Sequence, residues 1–395
     1  MGWLRNSAED SAVRAEGSAV VLSGAAPLVR LPGGVAGGAG GGGGGAGRDG
    51  GGEGSSAGGT GGAGGTGVDG SVSRDVDAKM RALPRGFGAI MELSKPRITQ
   101  MVVMTAAVGF ILAMPSRQSD LMPIVVVAVM CVIGTALSAS GANSLNQWWE
   151  HHRDAKMPRT ALRPIPTGRL NADQALVVGL IFSVLGVGAL VLTCGVAAGG
   201  VSLATILVYV LLYTPMKPVT PLSTLVGAVP GALPPLIGWC AARSIPGAVT
   251  PSEPIAGGLL EAGGWSLFAL MFVWQIPHFL AIAWMYREDY ERGGFRMLPI
   301  FDKTGHLTSF MVAAWAVLLI PATVAPALVM PDRLGWVYVV VAGVSGLVFL
   351  AGTVRLMLER TRQRARAVFI GSIIHLPLLL MFMVGEAAVR WITSA

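Results

Sequence analysis

The sequence predicts an all-α polytopic membrane protein, and three observations support this fold class. Hydrophobic residues make up 52% of the 395 residues and charged residues only 13%, a far more apolar balance than that of an average soluble domain. The mean hydropathy of +0.61 agrees with this composition. From Ile98 onward, apolar runs recur that can cross a hydrocarbon core of about 30 Å as helices of roughly 20 residues. We therefore expect a bundle of membrane-spanning helices.

The first 75 residues have a different composition. Between Gly33 and Gly67, 22 of 35 positions are glycine, and Ser, Thr and Ala fill most of the others. Such a segment cannot bury enough apolar surface to offset the conformational entropy that it would lose on ordering. We expect residues 1–75 to form a disordered tail and residues 76–97 to form an amphipathic cytoplasmic lead-in. The transmembrane domain then covers residues 98–395.

Nine apolar runs define the predicted bundle of nine transmembrane helices. They cover residues 98–114, 122–147, 172–194, 197–213, 221–241, 265–286, 307–330, 334–354 and 367–391. The start of the fourth run is ambiguous because Gly199 and Gly200 lie close to it. An odd number of crossings places the two termini on opposite sides of the membrane.

The basic residues indicate the orientation of this bundle. The loops 148–171, 214–220, 287–306 and 355–366 carry 15 Lys and Arg residues, whereas the opposite loops and the C-terminal end carry 4. An excess of basic residues marks the cytoplasmic side. We therefore expect a multi-pass protein of the cell (inner) membrane with its N-terminus in the cytoplasm and its C-terminus outside.

The composition also excludes some functions. The net charge is +7, but the basic residues lie between apolar runs and form no stripe with exposed aromatic residues, so nucleic-acid binding is not indicated. The three cysteines all lie in apolar runs without a CxxC spacing. This pattern predicts neither a disulfide framework nor a zinc site.

A first polar cluster, NSLNQWWEHHRD, follows the second apolar run at residues 143–154. Asn146, Glu150 and Asp154 are four residues apart, and Asn143 lies one turn earlier. Four residues advance a helix by about 400°, so these side chains lie on one face. An interfacial anchor also carries charge and tryptophan, and that alternative stays open for this cluster taken alone.

Cations follow these carboxylates directly. Arg159 and Arg163 are four residues apart on the same side of the membrane. Mg²⁺ takes one or two protein carboxylates and completes its coordination with water and phosphate oxygens, and arginines bind phosphates in bidentate fashion. Glu150 and Asp154 are therefore candidate Mg²⁺ ligands in a site for a phosphorylated substrate. Lys217 lies on the same predicted side.

A second polar cluster lies at the inner end of the sixth span, at residues 274–299. His278 and Asp289 are 11 residues apart, so they share a helix face if Pro277 lies at or before the helix start. An ionisable residue within the membrane is a functional candidate, and the alternative is a histidine hydrogen-bonded inside the bundle. His151 and His152 are expected to face water in a loop.

Several blocks of sequence carry a family resemblance. They are LSKPRIT at 93–99, ANSLNQWWEHHRDAKMPRTALRP at 142–164, YTPMK at 213–217, GALPPLIGW at 231–239, WQIPHFLAIAWMYREDY at 274–290 and MLP at 297–299. These blocks resemble the UbiA-type intramembrane prenyltransferases. The pairing of NQWWExxxDxxMxRTxxRP with PHFxxIAxxxxxDY is similar to the branch of that family that acts on heme.

The resemblance implies nine helices around a cavity that opens toward the inner face and the lipid. In that cavity, farnesyl diphosphate bound through Mg²⁺ ionises, and the farnesyl group is transferred to a vinyl group of protoheme IX (heme B), with water adding to give heme O. Membrane lipid and, as partners, a heme A synthase or oxidase assembly proteins are implied as well; no nucleic acid is.

The resemblance also assigns residues. The catalytic set is Asn143, Asn146, Glu150, Asp154 and Asp289. Among these, Glu150, Asp154 and Asp289 are the implied metal ligands. The implied substrate-binding set is Arg159, Arg163, Lys217, His278 and Tyr290, with the three cations on the diphosphate and His278 serving the heme.

The sequence departs from the family at two positions. Pro218 follows Lys217 where the family often has Lys-Arg, so one expected cation is missing. Met285 lies four residues before Asp289, where many relatives outside the heme branch have an aspartate. The number of Mg²⁺ ions therefore stays open at one or two.

Three other functions share some of these sequence features. A transporter also has spans interrupted by Gly and Pro, but it predicts charges deep in several spans and inverted internal symmetry, and neither is evident. A noncatalytic assembly scaffold would leave the paired carboxylates and arginines without a role. A UbiA-type enzyme with a quinone or chlorophyll precursor as acceptor is the runner-up, because the diphosphate chemistry is shared.

Overall fold

The computed structural model describes residues 83–114, 121–245 and 258–393. The predicted disordered tail, residues 1–75, lies outside the described residues, as does the first part of the predicted lead-in. All regular secondary structure in the described ranges is helical, which confirms the predicted all-α class.

The described ranges contain thirteen α-helices and one π-helical segment. They are α1 (Phe87–Leu93), α2 (Pro96–Ala113), α3 (Leu121–Asp154), α4 (Ala172–Leu207), the π-helical segment (Val208–Tyr213), α5 (Thr214–Met216), α6 (Ser223–Ala232), α7 (Pro234–Arg243), α8 (Ala262–Met285), α9 (Arg287–Arg292), α10 (Leu298–Phe301), α11 (His306–Val329), α12 (Trp336–Glu359) and α13 (Arg362–Thr393).

Eight continuous helical stretches in the described ranges are long and apolar enough to cross a membrane, whereas the sequence predicts nine spans. The difference lies in Ala172–Met216, a stretch of 45 residues. A straight helix of that size would be about 68 Å long, roughly twice the hydrocarbon thickness. The predicted sequence boundary between two spans falls within it.

Gly195 reverses the chain inside this stretch. Its φ of 85° and ψ of 162° are not helical. A Cβ placed on Gly199 would collide with the side chain of Val191, although residues eight apart in a straight helix are separated by about 12 Å. Leu176 and Tyr209 likewise pack in one apolar cluster. The stretch therefore consists of two adjacent arms, residues 172–194 and 196–216. Counting each arm as one crossing gives nine in the described ranges, the predicted number.

Small residues hold α3 against the first arm of α4. A Cβ on Gly141 would meet the carbonyl oxygen of Gly179 at 2.9 Å, and one on Gly134 would meet the carbonyl oxygen of Gly186 at 3.1 Å. Glycine lets two membrane helices approach closely enough for backbone contact. This packing fixes the position of the polar end of α3.

The helix of the second span extends beyond the apolar run, as the four-residue spacing of Asn146, Glu150 and Asp154 predicted. The apolar run ends at residue 147, but α3 continues to Asp154. His151 and His152, expected in a loop, therefore lie in the last turn of this helix. The helix continues because no glycine or proline interrupts it before Pro158.

The condition for a shared face of His278 and Asp289 is not met. Pro277 lies inside α8, which ends at Met285, and Asp289 belongs to the separate short helix α9. Tyr286, between the two helices, has φ −116° and ψ 26°. Proline is tolerated inside membrane helices because neighbouring groups satisfy the freed carbonyl. The prediction that His278 and Asp289 align on one helix was therefore wrong.

Candidate active site

A cavity of about 280 Å³ lies at the polar end of α3. Its wall includes the two carboxylates Glu150 and Asp154. Four cationic side chains also line it: Lys95, Arg159, Arg163 and Lys217. The cations outnumber the carboxylates by two, so the cavity has the charge that a polyanionic ligand requires.

Each carboxylate is buried and paired with one of these cations. Glu150 is 5% exposed and Asp154 is 1% exposed. Lys217 Nζ lies 2.8 Å from Glu150 Oε1, and Arg163 donates to Asp154 Oδ2 over 2.6 Å. The sequence prediction that carboxylates and cations converge here agrees with this geometry, since all four line one cavity.

The donor set fits Mg²⁺. Asp154 Oδ1 is buried and has no hydrogen-bond partner among the described residues, and a buried oxygen without a partner is unfavourable unless a water or an ion satisfies it. Two carboxylates are a typical protein contribution to a Mg²⁺ site that also uses phosphate oxygens. The described residues contain no cluster of three or more His, Cys, Asp or Glu side chains placed to hold a metal.

The two lysines have opposite pKa shifts. The pKa of Lys95 is lowered to about 7, first by burial and then by the charges of Arg163 and Lys217, while Glu150 and Asp154 act in the opposite direction. Burial also acts to lower the pKa of Lys217, but the Glu150 carboxylate raises it above the ordinary lysine value. Lys95 Nζ donates to the neutral Asn146 Oδ1 over 3.0 Å. Lys95 is therefore the cation of the cavity whose charge depends on pH near neutrality.

The two predicted asparagines have different surroundings. Asn146 lines the cavity, and its amide donates to Thr214 Oγ1 over 3.1 Å. Asn143 is buried beside the start of α2, where its amide lies 3.4 Å from both the Ser94 carbonyl oxygen and Thr99 Oγ1. Asn146 therefore faces the cavity, whereas Asn143 links α3 to α2.

Arg159 lies on an aromatic surface. Its guanidinium carbon is 4.2 Å from the ring centroid of Tyr290 and 5.1 Å from that of Tyr286, distances typical of cation–π contact. The side chain is exposed and has no ion-pair partner among the described residues. Arg159 is therefore positioned at the cavity without a carboxylate to neutralise it.

Comparison with known proteins identifies the family. Residues 102–384, more than half of the chain, match the profile of the UbiA prenyltransferase family. The chain belongs to this family. The protoheme IX farnesyltransferase of Solibacter usitatus is 43% identical over 293 residues, covering 73% of this chain and 95% of that protein.

Two further comparisons agree. The protoheme IX farnesyltransferase of Salinibacter ruber is 38% identical over 285 residues, covering 72% of this chain and 93% of the relative. The structure of a UbiA homologue from Archaeoglobus fulgidus bound to DMAPP and Mg²⁺ has a TM-score of 0.53 at 15% identity, covering 76% of this chain and 99% of that one. The second likeness shows the UbiA fold. The family and the apolar helices together identify a multi-pass membrane protein.

Two of the site residues expected of a UbiA enzyme lie away from the cavity wall. Asp289 is half-buried in α9 beside Tyr290, which lines the cavity, but Asp289 is not among the lining residues. His278 is half-buried between α8 and α13 and does not line the cavity either. The role of Asp289 as a metal ligand and that of His278 toward heme stay predictions.

The cavity also contains residues to which the sequence reasoning assigned no role. Lys95 belongs to the quoted block LSKPRIT, and Tyr209 and Tyr213 lie in the π-helical segment four residues apart. Lys217 Nζ is 4.4 Å from the ring centroid of Tyr213. The spacing of Tyr209, Tyr213 and Lys217, four residues each, was a signal that could have placed the tyrosines beside the predicted cation.

Proposed function

We propose that this UbiA enzyme transfers the farnesyl group of farnesyl diphosphate to a vinyl group of heme B, with addition of water, to give heme O for terminal oxidase assembly. The observation that carries the proposal is the cavity in which two buried carboxylates lie among four cations. The acceptor is supported by the relatives named protoheme IX farnesyltransferase, which this chain matches over more than nine-tenths of their length.

Glu150 and Asp154 would hold the Mg²⁺ ion, and Asp289 is proposed as a further ligand from α9. When bound, Mg²⁺ neutralises the diphosphate and stabilises it as a leaving group. The free Oδ1 of Asp154 supports its assignment. Each carboxylate would then be shared between the ion and the cation that it already contacts.

The three proposed phosphate cations are Arg159, Arg163 and Lys217. They would take up the negative charge that develops on the diphosphate as its bond to the farnesyl carbon breaks. Arg159 has no carboxylate partner among the described residues, so it can bind the diphosphate without breaking an ion pair. Tyr290 would support Arg159 by cation–π contact, and Asn143 and Asn146 would hold the end of α3 in place.

The acceptor chemistry needs a dry site. An allylic cation must be kept from water until it meets the vinyl carbon, and apolar helices provide that environment. Aromatic faces stabilise cations, and the tyrosines of the π-helical segment line the cavity beside the carboxylates. His278 is the proposed heme-binding residue.

The proposed location is the cell inner membrane, with the end that carries the cavity toward the cytoplasm. This orientation is supported by the 15 to 4 distribution of basic residues between the two sides. Heme B and farnesyl diphosphate are the proposed substrates, and a heme A synthase or oxidase assembly proteins are the proposed partners.

The experiment is reconstitution of the full chain in nanodiscs with heme B, farnesyl diphosphate and Mg²⁺, followed by mass spectrometry of the porphyrin. We expect a porphyrin with one hydroxyethylfarnesyl arm, formed only in the presence of the divalent ion. A parallel reaction with quinone and chlorophyll precursors tests the runner-up. Prenylation of one of these acceptors with no porphyrin product would contradict the proposal.

A further inference from the structure

A histidine–aromatic cluster lies between α8 and α13, away from the cavity. The His278 ring stacks on Trp274 at a centroid distance of 4.9 Å and an angle of 21°. Phe369 of α13 lies 5.1 Å from the same ring. Trp274 Nε1 donates to the carbonyl oxygen of Ser372 over 3.0 Å. Both helices therefore fix the plane of the imidazole.

Ser372 contacts one ring nitrogen of this histidine. Ser372 is fully buried, and its hydroxyl donates to the carbonyl oxygen of Phe369 over 2.7 Å. A serine hydroxyl has one proton to donate. His278 Nδ1 lies 2.7 Å from Ser372 Oγ; with the hydroxyl proton on the Phe369 carbonyl oxygen, the complementary assignment makes Nδ1–H the donor in that contact. The neutral imidazole then carries its lone pair on Nε2.

Nε2 of His278 is available to a ligand. It has no hydrogen-bond partner among the described residues, and it keeps some accessible surface. A neutral imidazole nitrogen is the form that binds heme iron. Histidines that ligate metals are characteristically held by a hydrogen bond from the other ring nitrogen, which sets the tautomer and the ring orientation.

We infer that Ser372 is a positioning residue that holds His278 in the Nδ1-protonated tautomer, so that His278 Nε2 binds the iron of the heme substrate beside α8 and α13. The inference rests on the proposed function and deepens it. The aromatic rings of Trp274 and Phe369 surround the imidazole with apolar surface.

A second histidine on α13 provides a matched control. His375 lies three residues beyond Ser372, is 3% exposed, and has no hydrogen-bond partner on either ring nitrogen among the described residues. Its ring stacks on Phe349 of α12 at 5.6 Å. His375 is thus a buried packing residue of the same type on the same helix, without the contact that fixes a tautomer.

The test is titration of the full chain in nanodiscs with heme B, read by its absorption spectrum and by electron paramagnetic resonance. We expect Ser372→Ala to weaken heme affinity about 10- to 100-fold, the range found when an outer-shell partner of a metal ligand is removed. Ser372→Thr, which keeps the hydroxyl, should restore the histidine-ligated spectrum. His278→Ala should abolish that spectrum, and His375→Leu should retain it.

A second readout separates positioning from folding. Mg²⁺-dependent binding of a nonhydrolysable farnesyl diphosphate analogue should be unchanged in Ser372→Ala, because the diphosphate cavity does not include α13. Equal loss of both ligands, an unchanged heme spectrum in Ser372→Ala, or loss of the spectrum in His375→Leu would each overturn the inference. If the unmodified protein makes heme O and Ser372→Ala binds heme normally, only the inference fails; if it makes no heme O, the proposed function fails.

Discussion

Glu150 and Asp154 are the residues on which the proposed chemistry depends most. Glu150→Gln or Asp154→Asn removes one negative charge from a buried pair and one proposed Mg²⁺ ligand. Loss of such a group removes charge stabilisation of about 3–4 kcal/mol in the transition state, so heme O formation should fall roughly 100- to 1,000-fold.

The assay is turnover at limiting Mg²⁺, with thermal unfolding in detergent as the control for folding. Both variants should keep a cooperative unfolding transition. Near-normal turnover in both would instead support an interfacial anchor as the role of this polar face.

Lys95 gives the site a pH dependence. Its pKa of about 7 in the ligand-free protein results first from burial and then from Arg163 and Lys217, whereas the Glu150 and Asp154 charges oppose the shift. A bound diphosphate favours the protonated amine, so binding takes up a proton above that pKa. The contribution of Lys95 to the affinity for a farnesyl diphosphate analogue should be constant below about pH 7 and fall as the pH rises above it.

Lys95→Arg is the control for this titration because arginine stays charged throughout. The pH dependence of the diphosphate itself is common to both proteins and cancels in the comparison. We expect the variant to bind with a shallower slope between pH 7 and 9, measured by calorimetry. Equal slopes in the two proteins would contradict the assignment of Lys95 to the ligand site.

Some of the contacts between individual site residues could be predicted from the sequence. The spacing of Glu150, Asp154 and Arg163 predicted that they line one site, and the contact between Asp154 and Arg163 is local in the chain. Lys95 contacts Asn146 across 51 residues, and His278 contacts Ser372 across 94. Such pairs form only when distant helices pack together. The periodicity of one helix does not predict which other helix it packs against.

Among the secondary structure elements, the turn at Gly195 is the position where backbone conformation matters most. Its φ of 85° is unfavourable for any residue with a Cβ, so Gly195→Ala should destabilise the protein by about 1–3 kcal/mol. Gly200→Ala is the matched control, because its Cβ would meet nothing within 4 Å and alanine favours the helix. In detergent, the thermal unfolding midpoint should be lower for Gly195→Ala than for the unmodified protein. It should not be lowered for Gly200→Ala. Equal midpoints would contradict the chain reversal at Gly195.

Apolar composition predicted the helices well, because a membrane span must be apolar along its whole length. Composition alone did not predict their polar ends, whereas the spacing of Asn146, Glu150 and Asp154 predicted that the helix continues. The extension of α3 beyond residue 147 carries the carboxylates, and the composition of that extension resembles a loop. Proline often starts a helix, yet Pro277 lies inside α8, since a bundle can satisfy the backbone group that proline frees.

For the whole molecule, the distribution of basic residues predicted that the loops 148–171 and 287–306 lie on one side. The structure places them together, since Arg153 donates to the carbonyl oxygens of Gly293 and Gly294 over 3.1 Å. Which side of the membrane the two loops occupy stays a prediction. We expect that both loops are cytoplasmic.

Cysteine labelling with an impermeant maleimide tests this orientation. The native cysteines Cys131, Cys194 and Cys240 are buried, so background labelling should be low. Cysteines at the exposed positions Lys156 and Lys303 should react only in inside-out vesicles. A cysteine at exposed Asp332, beyond the other ends of the helices, should react in intact cells. The reverse pattern would contradict the cytoplasmic site.

The central claim is that the cavity couples release of diphosphate to prenylation of heme, and the most direct measurement is the stoichiometry of a single turnover. Full-length protein in nanodiscs is mixed with Mg²⁺, heme B and a limiting amount of farnesyl diphosphate, and both products are quantified. The account predicts one heme O for each diphosphate released, with both products formed roughly 100- to 1,000-fold more slowly in Glu150→Gln. Release of diphosphate with the heme unchanged would contradict it.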